Sequence, residues 1–252
     1  MSKPENEQFV RSFARGLSVI SALGRGNGRH TIASVATLTD LPRAVARRIL
    51  TTLCALGYAD SDGREFRLTP RVLTLGLSYL ASLPYLAHAQ QVLTETSHEL
   101  GESCAMALLD DGETVFIFRI PTRKVLSPRL VPGSRLPSYA TSPGRVLLSQ
   151  LDRRHVEQYL RQSDLKRYTD RTLTTVPRLM KELQQVARQG YAWVDREYDP
   201  AIAGLSVPVR NAEGKTVAAV SANVLAEGWT EENAVKAFLA PLRRAADCIR
   251  FD

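Results

Sequence analysis

Cysteine, histidine and long apolar runs are all scarce in this 252-residue chain. Its three cysteines, Cys54, Cys104 and Cys248, lie far apart, are odd in number and never fall in a CxxC spacing. That excludes a disulfide framework and a zinc knuckle, and points to a reducing compartment. The four histidines, His30, His88, His98 and His155, show no metal-ligand spacing, and the chain has no GxSxG, HExxH, P-loop or dinucleotide glycine fingerprint. We therefore expect no enzyme activity, no metal and no cofactor. Cys104 reads as a buried strand residue, not a nucleophile. Asp195, Glu197 and Asp199, close in sequence but without an evident partner, read as surface. The greasiest run, residues 72–87, is broken by Ser78, Ser82 and Pro84, and the opening MSKPENEQFV is polar where a signal peptide needs an apolar stretch. A soluble cytoplasmic chain with no membrane segment is the expectation.

What is present is ordinary in amount and uneven in placement. Hydrophobic residues make up 44% and charged residues 23%, enough to build a core, and the length suits two domains of unequal size. The net charge of +7 is concentrated at the front: residues 1–76 hold 11 Lys/Arg against 6 Asp/Glu, or +5, and the remaining 176 hold 22 against 20, or +2. A basic module attached to a nearly neutral domain is the footprint of polyanion binding.

The front of the chain reads as three short helices and a hairpin. Phe13, Leu17 and Ile20 recur at helical spacing, with Ser12 placed to cap the start and Gly24 to end it. A second helix begins at Thr31 and buries Ile32, Val35 and Ala36. A third opens at Leu41-Pro42, where proline is tolerated. On it Val45, Ile49, Leu53 and Leu56 share one face, and Arg43, Ala44, Arg47 and Thr51 the opposite one. After Gly57 the period changes to two around Ser61-Asp62-Gly63, a hairpin signal. Together these elements make a winged helix-turn-helix. Thr69-Pro70 then starts a helix with a Leu73, Leu77, Leu80 stripe. Pro84 interrupts it, and a further helix runs to about Leu100.

From Ser103 onward the texture is mixed. Residues 104–109 and 114–120 read as a hairpin, Lys124 to Val131 as a possible third strand, and 143–150, 153–162 and 177–189 as helices. Strands follow at about 204–210 and 216–225, then a C-terminal helix of about five turns capped at Thr230. The fold class is α+β, with an antiparallel sheet flanked by helices. The expected division is a DNA-binding domain at 1–69, linker helices at 70–101 and a second domain at 102–252.

Two groups of residues carry candidate chemistry. Arg43, Arg47 and Arg48 stand at the start of the helix that the turn pattern nominates for the major groove, with no acid from Leu41 to Ala59. Ala44 and Thr51 share that face, and Arg15 on the first helix joins the set. Arg64 and Arg67 on the hairpin suit backbone phosphate. In the second domain, the amides of Gly144 and Arg145 at the start of a helix offer an anion site after Ser142. Ser221 and Asn223, of one parity in an apolar strand, either line a cavity or face water. Arg119 and Arg145 are the nearest countercharges for a carboxylic acid, unless they hold structural carboxylates. Tyr139 is placed to cover such a site.

SFARGLSVISAL (12–23), LPRAVARRILTTLCALGY (41–58) and FRLTPRVLTLGLSYL (66–80), followed by RLPSYATSPGRVLL (135–148) and VPVRNAEGKTVAAVSANV (207–224), resemble IclR-type regulators, in particular the PcaR/PcaU/PobR branch. The resemblance implies a winged-helix DNA-binding domain, a linker helix and a GAF-like effector domain. It also implies homodimers that often pair into tetramers, bound to double-stranded operator DNA. The implied effector is a small organic acid such as protocatechuate, 4-hydroxybenzoate or beta-ketoadipate, in control of aromatic catabolism. Carried over by position, the implied pocket is Ser142, Pro143, Val194, Asp195, Ile202, Gly204, Ser221 and Asn223. Pro143 replaces the branch's methionine, and Ala201-Ile202-Ala203-Gly204 its GLRS-like segment. The alternative reading is a GAF-like sensor or enzyme whose basic segment serves only for tethering.

Overall fold

The computed structural model describes residues 9–122 and 130–249. Its chain forms two compact units, one ending at Ser82 and the other beginning at Leu83.

The first unit holds α1 (Arg11–Leu23), α2 (Ile32–Thr39), α3 (Arg43–Ala55), β1 (Ala59–Ser61), β2 (Phe66–Leu68) and α4 (Leu73–Ala81). The Val10 carbonyl accepts the amides of both Phe13 and Ala14, so α1 starts one residue before the expected Ser12 cap. Thr31 does cap α2, accepting from the Ser34 amide at 3.2 Å. Asp40, at φ 53°, ends α2 in the left-handed region, and Pro42 opens α3 two residues later. The wing strands pair antiparallel, Asp60 opposite Arg67, and His30 exchanges backbone hydrogen bonds with Phe66 of β2. Val19, Leu23, Val35, Ala46, Leu50 and Leu53 form the core.

That core corrects the expected faces of two helices. On α1 the buried residues are Val19, Ala22 and Leu23, whereas Phe13 is 68% and Leu17 48% exposed. On α3 the buried set is Ala46, Leu50 and Leu53; Val45 and Ile49 are half-buried and Leu56 is exposed. Each helix has two apolar stripes, and periodicity selects the larger side chains. The core takes the other stripe, in which Ala22 and Ala46 let the helices approach while Val19, Leu23, Leu50 and Leu53 fill the space between them. The larger stripes line one open apolar groove together with Leu75 of α4.

The second unit is built on a six-stranded antiparallel sheet in the order β5-β4-β3-β8-β7-β6. Its strands are β3 (Ser103–Asp110), β4 (Glu113–Ile120), β5 (Arg135–Pro137), β6 (Ala192–Asp195), β7 (Ile202–Arg210) and β8 (Thr216–Leu225). Sequence reading found β3, β4, β7 and β8 and missed β5 and β6, which have only three and four residues. Residues 124–129 of the possible third strand lie outside the described residues, and Leu130 and Val131 are irregular.

Helices cover both faces of the sheet. α6 (Ser142–Leu148) lies over one face with α8 (Val176–Gln189) behind it, α7 (Arg153–Gln162) packs on α8, and α5 (Leu86–Leu100) pairs with α9 (Glu231–Cys248). Strand alternation sorts the side chains: Ser206 of β7 reaches Ser142 of α6, whereas its neighbour Val207 lies with Ala246 and Ile249 at the end of α9. The architecture is α+β, a winged helix-turn-helix followed by a GAF-like antiparallel domain. No single described helix is long and apolar enough to cross a membrane.

Candidate functional site

Arg43, Ala44, Arg47, Arg48 and Thr51 are all exposed on α3. Among the described residues no carboxylate pairs with Arg43, Arg47 or Arg48. Thr51 donates its hydroxyl to the Arg47 carbonyl at 3.0 Å, which keeps an oxygen lone pair outward. Arg48 and Arg15 stand apart from this cluster, on the rim of the apolar groove. On the wing, Arg67 is already engaged, its Nη2 2.8 Å from Asp60 Oδ2. Arg64 has no ion-pair partner among the described residues.

A recess of roughly 590 Å³, solvent at its mouth included, opens in the second unit between the sheet, the start of α6 and the β6–β7 connection. Arg119, Ser142, Pro143, Val194, Ile202, Gly204 and Asn223 line it, as the resemblance implied or the sequence suggested. Phe116, Leu136, Glu197, Tyr198 and Asp199 also line it and were missed. A bulge explains Phe116. The β3–β4 register shifts between Met106 and Ala107, so Phe116 pairs with Ala107 and Arg119 with Ala105, and two residues an odd number apart share one face. No local pattern in β4 reports that bulge.

Arg119 is half-buried, and desolvation pulls its pKa below the ordinary arginine value. Its Nε donates to Ser103 Oγ at 2.8 Å. Among the described residues it has no carboxylate partner. On the neighbouring strands, Asn223 sits opposite both Ser103 and Gly204. A Cβ on Gly204 would come within 2.8 Å of Asn223 Oδ1 and 2.9 Å of Ser142 Oγ, so glycine is what lets these two side chains close over β7. Ser206 Oγ donates to Ser142 Oγ at 2.8 Å, and Asn223 Nδ2 to Ser221 Oγ at 3.1 Å.

Four expected site residues lie behind this wall. Arg145 is buried and is not a free countercharge: its Nη2 donates to Glu197 Oε2 at 2.7 Å and its Nε to the Tyr139 carbonyl at 2.9 Å. Its amide bonds the Thr141 carbonyl at 3.0 Å, and Pro143 has no N–H, so the helix start offers fewer donors than expected. Tyr139 does not cover the recess; it is buried with its hydroxyl on the Lys166 carbonyl at 3.0 Å, and burial raises its pKa. Asp195, of opposite parity to Val194, pairs with Arg171 and Arg196. Ser221 supports Asn223 from the next pleat but does not reach the recess. Glu197, expected at the surface, is buried against Arg145. Among the described residues, no group of three or more His, Cys, Asp or Glu side chains converges on a metal position.

Comparison with known proteins matches both units. The IclR helix-turn-helix domain matches residues 12–63 and the bacterial transcriptional regulator IclR C-terminal domain matches residues 77–250. The Pca regulon regulatory protein of Pseudomonas putida is 40% identical over 239 residues, covering 94% of this chain and 82% of that protein. The crystal structure of a transcriptional regulator from Rhodococcus sp. RHA1 superposes with a TM-score of 0.82 at 39% identity, covering 96% of this chain and 97% of the other. The inducer-binding domain of PobR from Acinetobacter, solved as a double mutant with 3-hydroxybenzoic acid, has a TM-score of 0.60 at 30% identity over 64% of this chain and 95% of that one. With two domain matches that together span most of its length, the chain belongs to the IclR family of bacterial transcriptional regulators.

Proposed function

We propose that this regulator binds operator DNA through the Arg43, Arg47 and Thr51 face of α3, and that a hydroxybenzoate-type acid in the α6–sheet recess controls it. The observation that carries the effector reading is Arg119, a half-buried cation in a largely apolar recess with no carboxylate partner among the described residues. Such a charge favours an anionic guest, because a carboxylate leaving water needs a countercharge and hydrogen-bond donors. Asn223 and Ser142 add polar atoms near it, and Phe116, Leu136 and Ile202 suit an aromatic ring. The PobR inducer domain bound to 3-hydroxybenzoic acid supports this chemistry, and with it a role in aromatic catabolism. The protein works in the cytoplasm, with the chromosome it reads.

The unit that docks is a homodimer, able to pair into a dimer of dimers. Leu73, Leu75, Leu77 and Tyr79 of α4, with Phe13 and Leu17 of α1, are exposed on one chain, apolar side chains that a second copy would take out of water. Sedimentation equilibrium giving a monomer at micromolar concentration would remove this part of the reading.

Calorimetric titration of protocatechuate, 4-hydroxybenzoate and beta-ketoadipate tests the effector site. At least one acid binds the wild type, and Arg119→Met weakens it by about 1.5–3 kcal/mol, the worth of a charge-assisted hydrogen bond. Equal affinity in Arg119→Met moves the acid elsewhere. Effector and operator affinities shift each other by the same factor, as linkage requires.

A further inference from the structure

The β6–β7 connection, residues 196–201, supplies Glu197, Tyr198 and Asp199 to the recess, and side chains from elsewhere in the second unit hold it in place. Arg196 has a φ of 57°, a left-handed backbone that a non-glycine residue keeps only where its surroundings hold it. Thr169 Oγ1 donates to the Arg196 carbonyl and Thr172 Oγ1 to the Glu197 carbonyl, each at 2.6 Å, while the Leu173 amide donates to Glu197 Oε2 at 2.9 Å. The Ala226 amide holds the far end, donating to the Ala201 carbonyl at 2.8 Å, and a buried ion pair ties the connection to α6. Arg145 Nη2 meets Glu197 Oε2 at 2.7 Å, the two side chains being 2% and 9% exposed, and Arg145 Nη1 lies 3.6 Å from Glu182 of α8.

Arg145 sits in the same two-turn helix whose first residues, Ser142 and Pro143, form another wall of the recess. It does not itself line that space. Resting on the effector reading above, we propose that Arg145 is a positioning residue for the effector, tying the wall at the start of α6 to the wall at 196–201 through Glu197. The planar guanidinium fork reaches Tyr139, Glu197 and Glu182 at once, a geometry that a lysine ammonium on a flexible stem does not reproduce. The spacing between the walls is therefore set by Arg145 and Glu197 as a unit.

The test titrates protocatechuate and 4-hydroxybenzoate into the full-length protein and four variants: Arg145→Lys, Glu197→Gln, the double Arg145→Lys/Glu197→Gln, and Arg145→Met/Glu197→Met. The last leaves no lone buried charge and so guards against a variant that fails only by misfolding. Each single variant weakens the acid by about tenfold, and the Lys/Gln double loses no more than the weaker single, the non-additivity of two groups acting through one contact. All four variants keep the near-ultraviolet circular dichroism of the wild type and a cooperative urea transition, which a loss of structure in the second unit would not allow. Unchanged acid affinity in Arg145→Lys and in the folded Met/Met protein, or losses that multiply in the double, overturns the proposal while leaving the effector site standing. A wild type that binds neither acid overturns the effector reading and this inference with it.

Discussion

Arg43 and Arg47 of α3, and Arg145 of α6, occupy similar local settings and meet opposite fates. Each of the two helices opens beside a proline, Pro42 in one and Pro143 in the other, and each places arginine within its first turns. On α3 the arginines stand in water, and no described carboxylate faces them. On α6 the arginine is enclosed by strands of the sheet and by α8, and holds Glu197 from 52 residues away. Local sequence fixes where a helix begins. Topology decides whether its first charges meet solvent, a phosphate backbone or a buried acid.

Truncating each arginine breaks or sharpens this contrast. Arg145→Met leaves Glu197 buried without its partner, and should cost the second unit about 3–5 kcal/mol in urea unfolding. Arg43→Ala or Arg47→Ala, by comparison, should move stability by no more than about 0.5 kcal/mol, as exposed substitutions do. An Arg145→Met protein as stable as wild type would mean that α6 tolerates a lone carboxylate beneath it, and the contrast would collapse.

The order reverses when DNA binding is measured. Arg47→Ala should lose about 1–3 kcal/mol of specific operator affinity if it reads a base edge, and relax preference at one position. Raising salt should weaken the wild type steeply through counterion release. A flat salt response in gel shifts, or full operator affinity in the Arg43→Ala/Arg47→Ala double, would remove α3 from the groove.

The same contrast explains what was legible in sequence. The basic face of α3 could be read because helical periodicity alone separates Arg43, Arg47 and Thr51 from the core. Ser142 and Asn223 were read from the residues as open alternatives and Gly204 through the resemblance, and their convergence is a matter of strand register. Arg145 holds a structural carboxylate, the alternative left open for it, and its partner could not be named because Glu197 lies across the fold and looked like surface. Phe116 was hidden by the bulge opposite Met106 and Ala107, which shifts parity without any glycine or proline to announce it. On α1 and α3 a second apolar stripe forms the core, so Phe13, Leu17 and Leu56 of the conspicuous stripes stay outside while Leu53 is buried.

The smallest expected effect lies on the wing, where an exposed arginine is neither free like Arg47 nor buried like Arg145. Arg67 donates to Asp60 at 2.8 Å. That hydrogen bond, with one from the Ser61 amide, holds the Asp60 carboxyl below its ordinary pKa. Because the folded value is depressed, whatever the pair adds to stability is present above the unfolded value of about 3.9 and fades as pH falls through the lower folded value. Between pH 5 and 8 the carboxylate is charged throughout, and any competition between Asp60 and a DNA phosphate for Arg67 is independent of pH. Asp60→Asn removes the competitor and should leave the melting temperature nearly unchanged, since exposed pairs contribute little. It should also steepen the salt dependence of DNA binding by about 0.9 in log–log slope, one additional phosphate contact. If Asp60→Asn and Arg67→Ala both bind DNA with the wild-type slope, the wing pair is a spectator and the phosphate contacts of the first unit fall to the other arginines.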